Sequence, residues 1–121
     1  MGTALVVEDC LTDLQIITRC LQDEGIKVLT ADSGEEALAK LSSQKPDVIV
    51  LDVVLPGRSG FEVCRDIKDA ANTKSIPVVI CSTKHGEMDK FWGMKQGADA
   101  YIGKPIDQAE LLRTVKQLIR S

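Results

Sequence analysis

Apolar residues along the chain come in two patterns that alternate from end to end. Ala4 to Val7 is an unbroken apolar run closed by Glu8-Asp9, as expected of a strand buried on both faces. A helical spacing follows from about Thr12 to Glu24, with Leu14, Ile17 and Leu21 on one face and Gly25 as the stop. Lys27 to Ala31 is a second, less apolar strand suited to a sheet edge. Ser33-Gly34-Glu35-Glu36 is a capping box, and Ala37, Leu38 and Leu41 form the inner stripe of a helix that ends before Lys45-Pro46. Val48 to Leu51 is the most apolar strand; it runs into Asp52, and Pro56-Gly57 then turns the chain. Ser59-Gly60-Phe61-Glu62 caps a third helix reaching about Asp69, and Ala70 to Ser75 is a polar loop. Ile76 to Cys81 predicts a fourth strand, ending in Ser82-Thr83-Lys84. A less sharply patterned helix covers about Glu87 to Gln96, stopped by Gly97. Ala100 to Ile102 is a short last strand before Gly103-Lys104-Pro105. Asp107 and Glu110 cap a final helix expected to bury Leu111, Leu112, Val115, Leu118 and Ile119.

The order is strand then helix, five times, with no linker or repeat between. Right-handed crossovers and helices on both faces make this an α/β protein with a doubly wound, five-stranded parallel sheet and five helices. The common strand order for five strands is 2-1-3-4-5, which puts the weakly apolar second strand at an edge and the switch point between strands one and three.

Composition narrows the picture. A length of 121 residues predicts one domain, and a hydrophobic share of 44% is enough to fill its core. The net charge of −3 gives no basic footprint, so nucleic acid is not an expected partner. No apolar run approaches the roughly 20 residues that cross a bilayer, and the N-terminus has no signal-peptide pattern. A cytoplasmic protein with no membrane insertion is expected. Cys10, Cys20, Cys64 and Cys81 lack C-x-x-C spacing and read as reduced thiols packed as small hydrophobes. A single histidine, His85, builds no metal cluster and reads as a surface residue.

Chemistry collects at the carboxyl ends of the strands, where open α/β sheets bind ligands. Strand one delivers Glu8 and Asp9, strand three Asp52, strand four Ser82 and Thr83, strand five Lys104. Three carboxylates in one crevice repel unless a cation sits among them, and hard oxygen donors with room for water suit Mg²⁺. Lys104 can pair with Asp52 or with a phosphoryl oxygen, and Ser82 can donate to the same oxygen. A carboxylate nucleophile, a divalent metal, a lysine and a hydroxyl are the parts needed to accept a phosphoryl group on Asp. Taken singly, each has a plain reading as a turn, cap or solvated loop; the signal is their convergence on one rim.

These residues resemble the receiver domains of two-component response regulators over residues 1–121. Glu8-Asp9 is similar to the family's acidic pair, Asp52 to its phosphoacceptor, Ser82 to its switch hydroxyl, Tyr101 to its switch aromatic and Lys104-Pro105 to its Lys-Pro. The chain resembles the single-domain, CheY-like members with their flavodoxin-like receiver fold. The runs Ser82-Thr83-Lys84, Asp89-Lys90-Phe91-Trp92-Gly93 and Lys95-Gln96-Gly97-Ala98 are similar to the PilH-type regulators of type IV pilus motility. The resemblance implies phosphoryl transfer to Asp52 from a CheA-like histidine kinase. It implies Mg²⁺ held by Asp9, Asp52 and the backbone carbonyl of Val54, with Glu8 acting through water. It also implies a downstream partner on the strand four, helix four, strand five and helix five face, reached by a Ser82–Tyr101 switch, in a monomer or weak dimer.

Several positions depart from the family pattern. Glu8 stands where Asp is common and Ile106 where Phe is common. Thr83 crowds the path of an attacking water and Val54 cannot orient one, so slow self-dephosphorylation is expected. Trp92 lies among Met88, Phe91 and Met94, and its plainer reading is packing against the sheet. Three rival functions remain. A haloacid-dehalogenase-type phosphatase would need a second Asp where Val54 stands, and its nucleophile would follow the first strand. A phosphorylation-independent interaction module sits poorly with intact Asp52, Ser82 and Lys104. A phosphate sink without an output partner is open on sequence grounds.

Overall fold

The computed structural model describes residues 2–120. Five strands and five helices alternate: β1 (Thr3–Val7), α1 (Leu11–Gln22), β2 (Lys27–Ala31), α2 (Gly34–Leu41), β3 (Val48–Leu51), α3 (Gly60–Asp69), β4 (Val78–Ser82), α4 (Glu87–Lys95), β5 (Ala100–Gly103) and α5 (Gln108–Arg120). All strand pairs are parallel and the order is β2-β1-β3-β4-β5. The less apolar β2 is at an edge, and the chain's path across the sheet reverses beside β1, as the pattern predicted. Among the described residues, no helix is long and apolar enough to cross a membrane.

Strand side chains point alternately to the two faces, and each face has its own core. Leu5, Val7, Ile49, Leu51, Val78 and Ile80 pack with Ala37 and Leu41 of α2 and with Val63, Cys64 and Ile67 of α3. Ala4, Val6, Val48, Val50, Val79 and Cys81 pack with Ile17, Cys20 and Leu21 of α1 and with Leu111 and Val115 of α5. Both faces of the inner strands are therefore covered, which is why those strands read as unbroken apolar runs.

The predicted caps form. Ser33 Oγ accepts from Glu36 N at 3.1 Å, and Ser59 Oγ accepts from Glu62 N at 3.4 Å. The return arm of the first box lands one residue early, since Glu36 Oε1 accepts from Asp32 N rather than Ser33 N. Asp107 Oδ1 accepts from Glu110 N at the start of α5. Gly25 and Gly97 stop their helices with φ of +81° and +101°, a region that favours glycine.

Four expectations need correction. β4 begins at Val78 rather than Ile76, because Pro77 has no N–H for the ladder and Ile76 N bonds Thr73 O in a turn. Cys10 is exposed, as its position ahead of α1 puts it on the rim; Cys20, Cys64 and Cys81 are buried. On α5 only Leu111 and Val115 are buried, with Leu112, Leu118 and Ile119 half-buried at the margin. Trp92 does not pack into the core: only Gly93 of α4 is buried, and Met88, Phe91, Trp92 and Met94 are all exposed.

Candidate active site

The sheet register assembles the site. Val7 of β1 pairs with Leu51 of β3, so Glu8 and Asp52, each the next residue, leave the sheet side by side. Backbone bonds hold both ends, from Asp52 N to Val7 O at 3.1 Å and from Glu8 N to Ala31 O at 2.9 Å. Across β4, Lys104 N bonds Ser82 O at 3.0 Å, which brings the end of β5 to the same rim. Gly60 closes the crevice from behind, where an added Cβ would lie 1.9 Å from the Asp52 carbonyl oxygen. Only glycine lets α3 start so near that backbone.

Lys104 is the centre of the cluster. Its Nζ donates to Glu8 Oε1 at 2.6 Å, Asp13 Oδ2 at 2.9 Å and Asp52 Oδ2 at 2.9 Å. The other Asp52 oxygen accepts from Val54 N at 3.2 Å, and Glu8 Oε2 accepts from Cys10 N at 3.2 Å. Glu8, Asp52 and Lys104 are buried, while Asp9 is exposed at the mouth. Burial by itself would lower the Lys104 ammonium, but its bonds to Glu8, Asp13 and Asp52 outweigh burial and hold it above the usual lysine range. Burial pushes the Glu8 carboxyl up to about 7; the Lys104 hydrogen bond opposes this and the Asp52 charge adds to it.

The donor set fits a divalent cation. One oxygen each of Glu8, Asp9 and Asp52 lie within 4.8 Å of one another. Among the described residues Lys104 alone pairs with Glu8, Asp13 and Asp52, with Asp9 beside them, so the ionised cluster keeps an excess of negative charge. A hard dication with retained water satisfies oxygen donors of this kind.

The switch candidates lie on the next loop. Ser82 is fully buried, and its Oγ accepts from Lys84 N at 3.2 Å. The Tyr101 hydroxyl donates to the Lys84 carbonyl. Both side chains thus hold one residue of the β4–α4 loop. Burial pushes the Tyr101 phenol up to about 12. Its ring fits under α4 because residue 93 is glycine, where a Cβ would come within 2.7 Å of the ring. His85 is exposed, with its ring against Gly103.

Of the residues that the sequence marked for chemistry, Glu8, Asp9, Asp52, Ser82 and Lys104 stand at this rim, and Tyr101 reaches the adjoining loop. Asp13 was missed. It precedes Ile17 by four positions and so shares the inward stripe of α1, and a carboxylate on an inward stripe one turn after an acidic pair is the signal that would have found it.

Residues 4–116 match the model of the response regulator receiver domain. The chain is 40% identical over 119 residues to the protein PilH of Pseudomonas aeruginosa, covering 98% of each. It is also 40% identical to the response regulator PleD of Caulobacter vibrioides, covering 96% of this chain and 26% of that longer protein. A chemotaxis response regulator of Vibrio cholerae superposes with a TM-score of 0.90 at 33% identity, covering 98% of both chains. The receiver domain of a Pseudomonas aeruginosa sensor histidine kinase, solved with a magnesium ion coordinated in its active-site cleft, superposes with a TM-score of 0.91 at 27% identity over 99% of this chain and 98% of that one. Such domains bind Mg²⁺ at an acidic site and act as signalling switches rather than as enzymes in the ordinary sense. With the receiver model matching residues 4–116 and 40% identity to PilH over 98% of both chains, the chain belongs to the response regulator receiver domain family.

Proposed function

We propose that the protein is a phosphoacceptor receiver that takes a phosphoryl group on Asp52 from the phosphohistidine of a CheA-like histidine kinase. The observation that carries this reading is the Lys104 ammonium held 2.9 Å from Asp52 Oδ2 in a crevice with surplus carboxylates. An Asp52 oxygen attacks phosphorus, the P–N bond to the imidazole breaks, and its electron pair leaves with the ring nitrogen. Lys104 then turns to a phosphoryl oxygen, and Glu8 and Asp13 keep its position through their own bonds. Asp9, Asp52 and the Val54 carbonyl would hold Mg²⁺, with Glu8 acting through water; bound there, the ion neutralises charge on the transferred group.

Phosphorylation adds nearly two negative charges. Ser82 exchanges its bond with Lys84 N for one to the phosphoryl group, the β4–α4 loop shifts, and Tyr101 follows because it holds the same residue. The change reaches a downstream protein through the α4–β5–α5 face. The resemblance to PilH-type regulators, with 40% identity to PilH, supports a role in pilus motility or taxis, and the site of action is taken to be the cytoplasm. Exposed Thr83 and Val54 support slow self-dephosphorylation; a lifetime of only seconds counts against it.

The test is thermal unfolding with Mg²⁺ and beryllofluoride, for the wild type and Asp52→Asn. Stabilisation by both ligands, with the beryllofluoride effect lost in the variant, is the expected result. No shift in the wild type removes the phosphoacceptor reading.

A further inference from the structure

We infer that Asp13 is a positioning residue for transfer to Asp52, a role that rests on the phosphoacceptor reading and deepens it: Asp13 sets the rate of transfer by fixing the Lys104 ammonium, and it takes no part in holding the cation. An ammonium has three protons to donate. Here each goes to a different carboxylate, Glu8 Oε1 at 2.6 Å, Asp13 Oδ2 at 2.9 Å and Asp52 Oδ2 at 2.9 Å. Two of these partners are called on elsewhere. Asp52 gives up its bond when its oxygen attacks phosphorus. Glu8 and Asp52 both belong to the group of oxygens that fits a dication, so a bound ion draws on them as well. Asp13 stands outside that group, and its bond to Lys104 is the one that neither the ion nor the reaction disturbs.

Local structure makes Asp13 a firm support. It comes from the first turn of α1 and not from a strand end. That turn is closed by Leu14 N donating to Cys10 O at 2.9 Å, and one turn further on Ile17 is locked in the core. The Lys104 side chain is 6% exposed and that of Asp13 28%, so water competes little for the bond on the lysine side. The backbone of Lys104 is tied down through its N–H to Ser82 O, but a four-carbon stem leaves the ammonium free to swing. When the bond to Asp52 is given up, Asp13 keeps that swing short, and the ammonium meets the phosphoryl oxygen in place. Orientation settled before the donor arrives lowers the barrier of the transfer itself.

Asp13→Ala and Asp13→Asn test this together. Both remove the same charge, and only the amide keeps an oxygen for Lys104. The first readout needs no phosphorylation. An ammonium with every proton bound exchanges slowly with water, so Lys104 gives its own signal in proton–nitrogen NMR spectra, assigned by its loss in Lys104→Arg. That signal is kept in Asp13→Asn and broadened away in Asp13→Ala. The second readout is labelling by phosphoramidate at saturating Mg²⁺, followed by intact-mass spectrometry. An Asp52 oxygen attacks phosphorus, and ammonia leaves with the electron pair of the P–N bond. Asp13→Ala lowers the maximal rate by about tenfold or more and leaves the half-saturating donor concentration unchanged. Asp13→Asn stays within about threefold of the wild type. Mg²⁺ affinity, read by calorimetry, moves alike in the two variants. A wild type that takes no label overturns the phosphoacceptor reading and the role of Asp13 with it. A labelled wild type with Asp13→Ala equally fast, or with Asp13→Asn as slow as Asp13→Ala, overturns the role of Asp13 alone. So does a Lys104 signal that survives Asp13→Ala, or a Mg²⁺ affinity lost in that variant and kept in Asp13→Asn.

Discussion

Asp52→Asn removes one carboxylate from the crevice while keeping the side chain's shape, and in metal-free protein it is expected to stabilise the fold. Glu8 and Asp9 each bring an oxygen within 4.8 Å of the Asp52 carboxylate. At a pH of about 8.5, where the Glu8 carboxyl is ionised, and an effective dielectric constant of about 20, unit charges about 5 Å apart repel by roughly 3 kcal/mol, and solvent cuts the share of exposed Asp9 to about half. Against this stands the attraction to Lys104, 2.9 Å away atom to atom; it is roughly 6 kcal/mol on the same scale. The Coulomb terms nearly cancel, so two smaller effects decide. A carboxylate that is 6% exposed has lost most of its hydration, which the amide does not need to the same extent. The amide oxygen also keeps a hydrogen bond to the ammonium, about 1.5–3 kcal/mol. Losing the Val54 N–H bond to Oδ1 takes back about 1 kcal/mol. The balance is a gain of about 1–2 kcal/mol, or a Tm higher by roughly 4–8 °C in a chain of this size. Urea unfolding in chelator measures it. Mg²⁺ at about 100 times its Kd adds about 2.7 kcal/mol to the wild type and less to the variant, so the order of stabilities inverts. A variant weaker than wild type in chelator, or an order unmoved by Mg²⁺, refutes this account of the crevice.

Lys104→Met takes the shared cation from Glu8, Asp13 and Asp52. Urea unfolding in chelator should show a loss of about 3–5 kcal/mol, as for other broken buried pairs, and added Mg²⁺ should recover part of it. Gly93→Ala drives a methyl to within 2.7 Å of the Tyr101 ring; a loss of about 1–3 kcal/mol is expected, and Tyr101→Ala in the same chain should remove most of that penalty. Alkylation of the native protein read by mass spectrometry should label exposed Cys10 first. Burial pushes the Cys64 thiol up to about 11 and the Cys81 thiol up to about 12; thiolate is the reactive form. Both therefore stay silent at pH 8 and gain reactivity only as pH rises toward those values. Rapid labelling of either at pH 8 contradicts the packing described.

The alternation of strand and helix, the edge position of β2 and the capping boxes were all legible along the chain. Each rests on contacts between near neighbours or on the period of apolar residues, which the order of residues encodes directly. The convergence of Glu8, Asp9, Asp52, Ser82 and Lys104 was legible too, since a parallel sheet sends every strand's carboxyl end to one rim. Tertiary structure decided matters of distance and direction. Nothing in the order of residues says that Lys104 reaches Glu8, Asp13 and Asp52 together, because that depends on where β5 and α1 stand relative to β1 and β3. Ser82 and Tyr101 share Lys84 only because β4 and β5 are neighbours. The exposure of Trp92 followed from Gly93: an apolar helix reads as core until the residue seated on the sheet proves to be the one with no side chain. Local pattern is written in spacing, whereas contact across the fold depends on the packing of elements far apart in the chain.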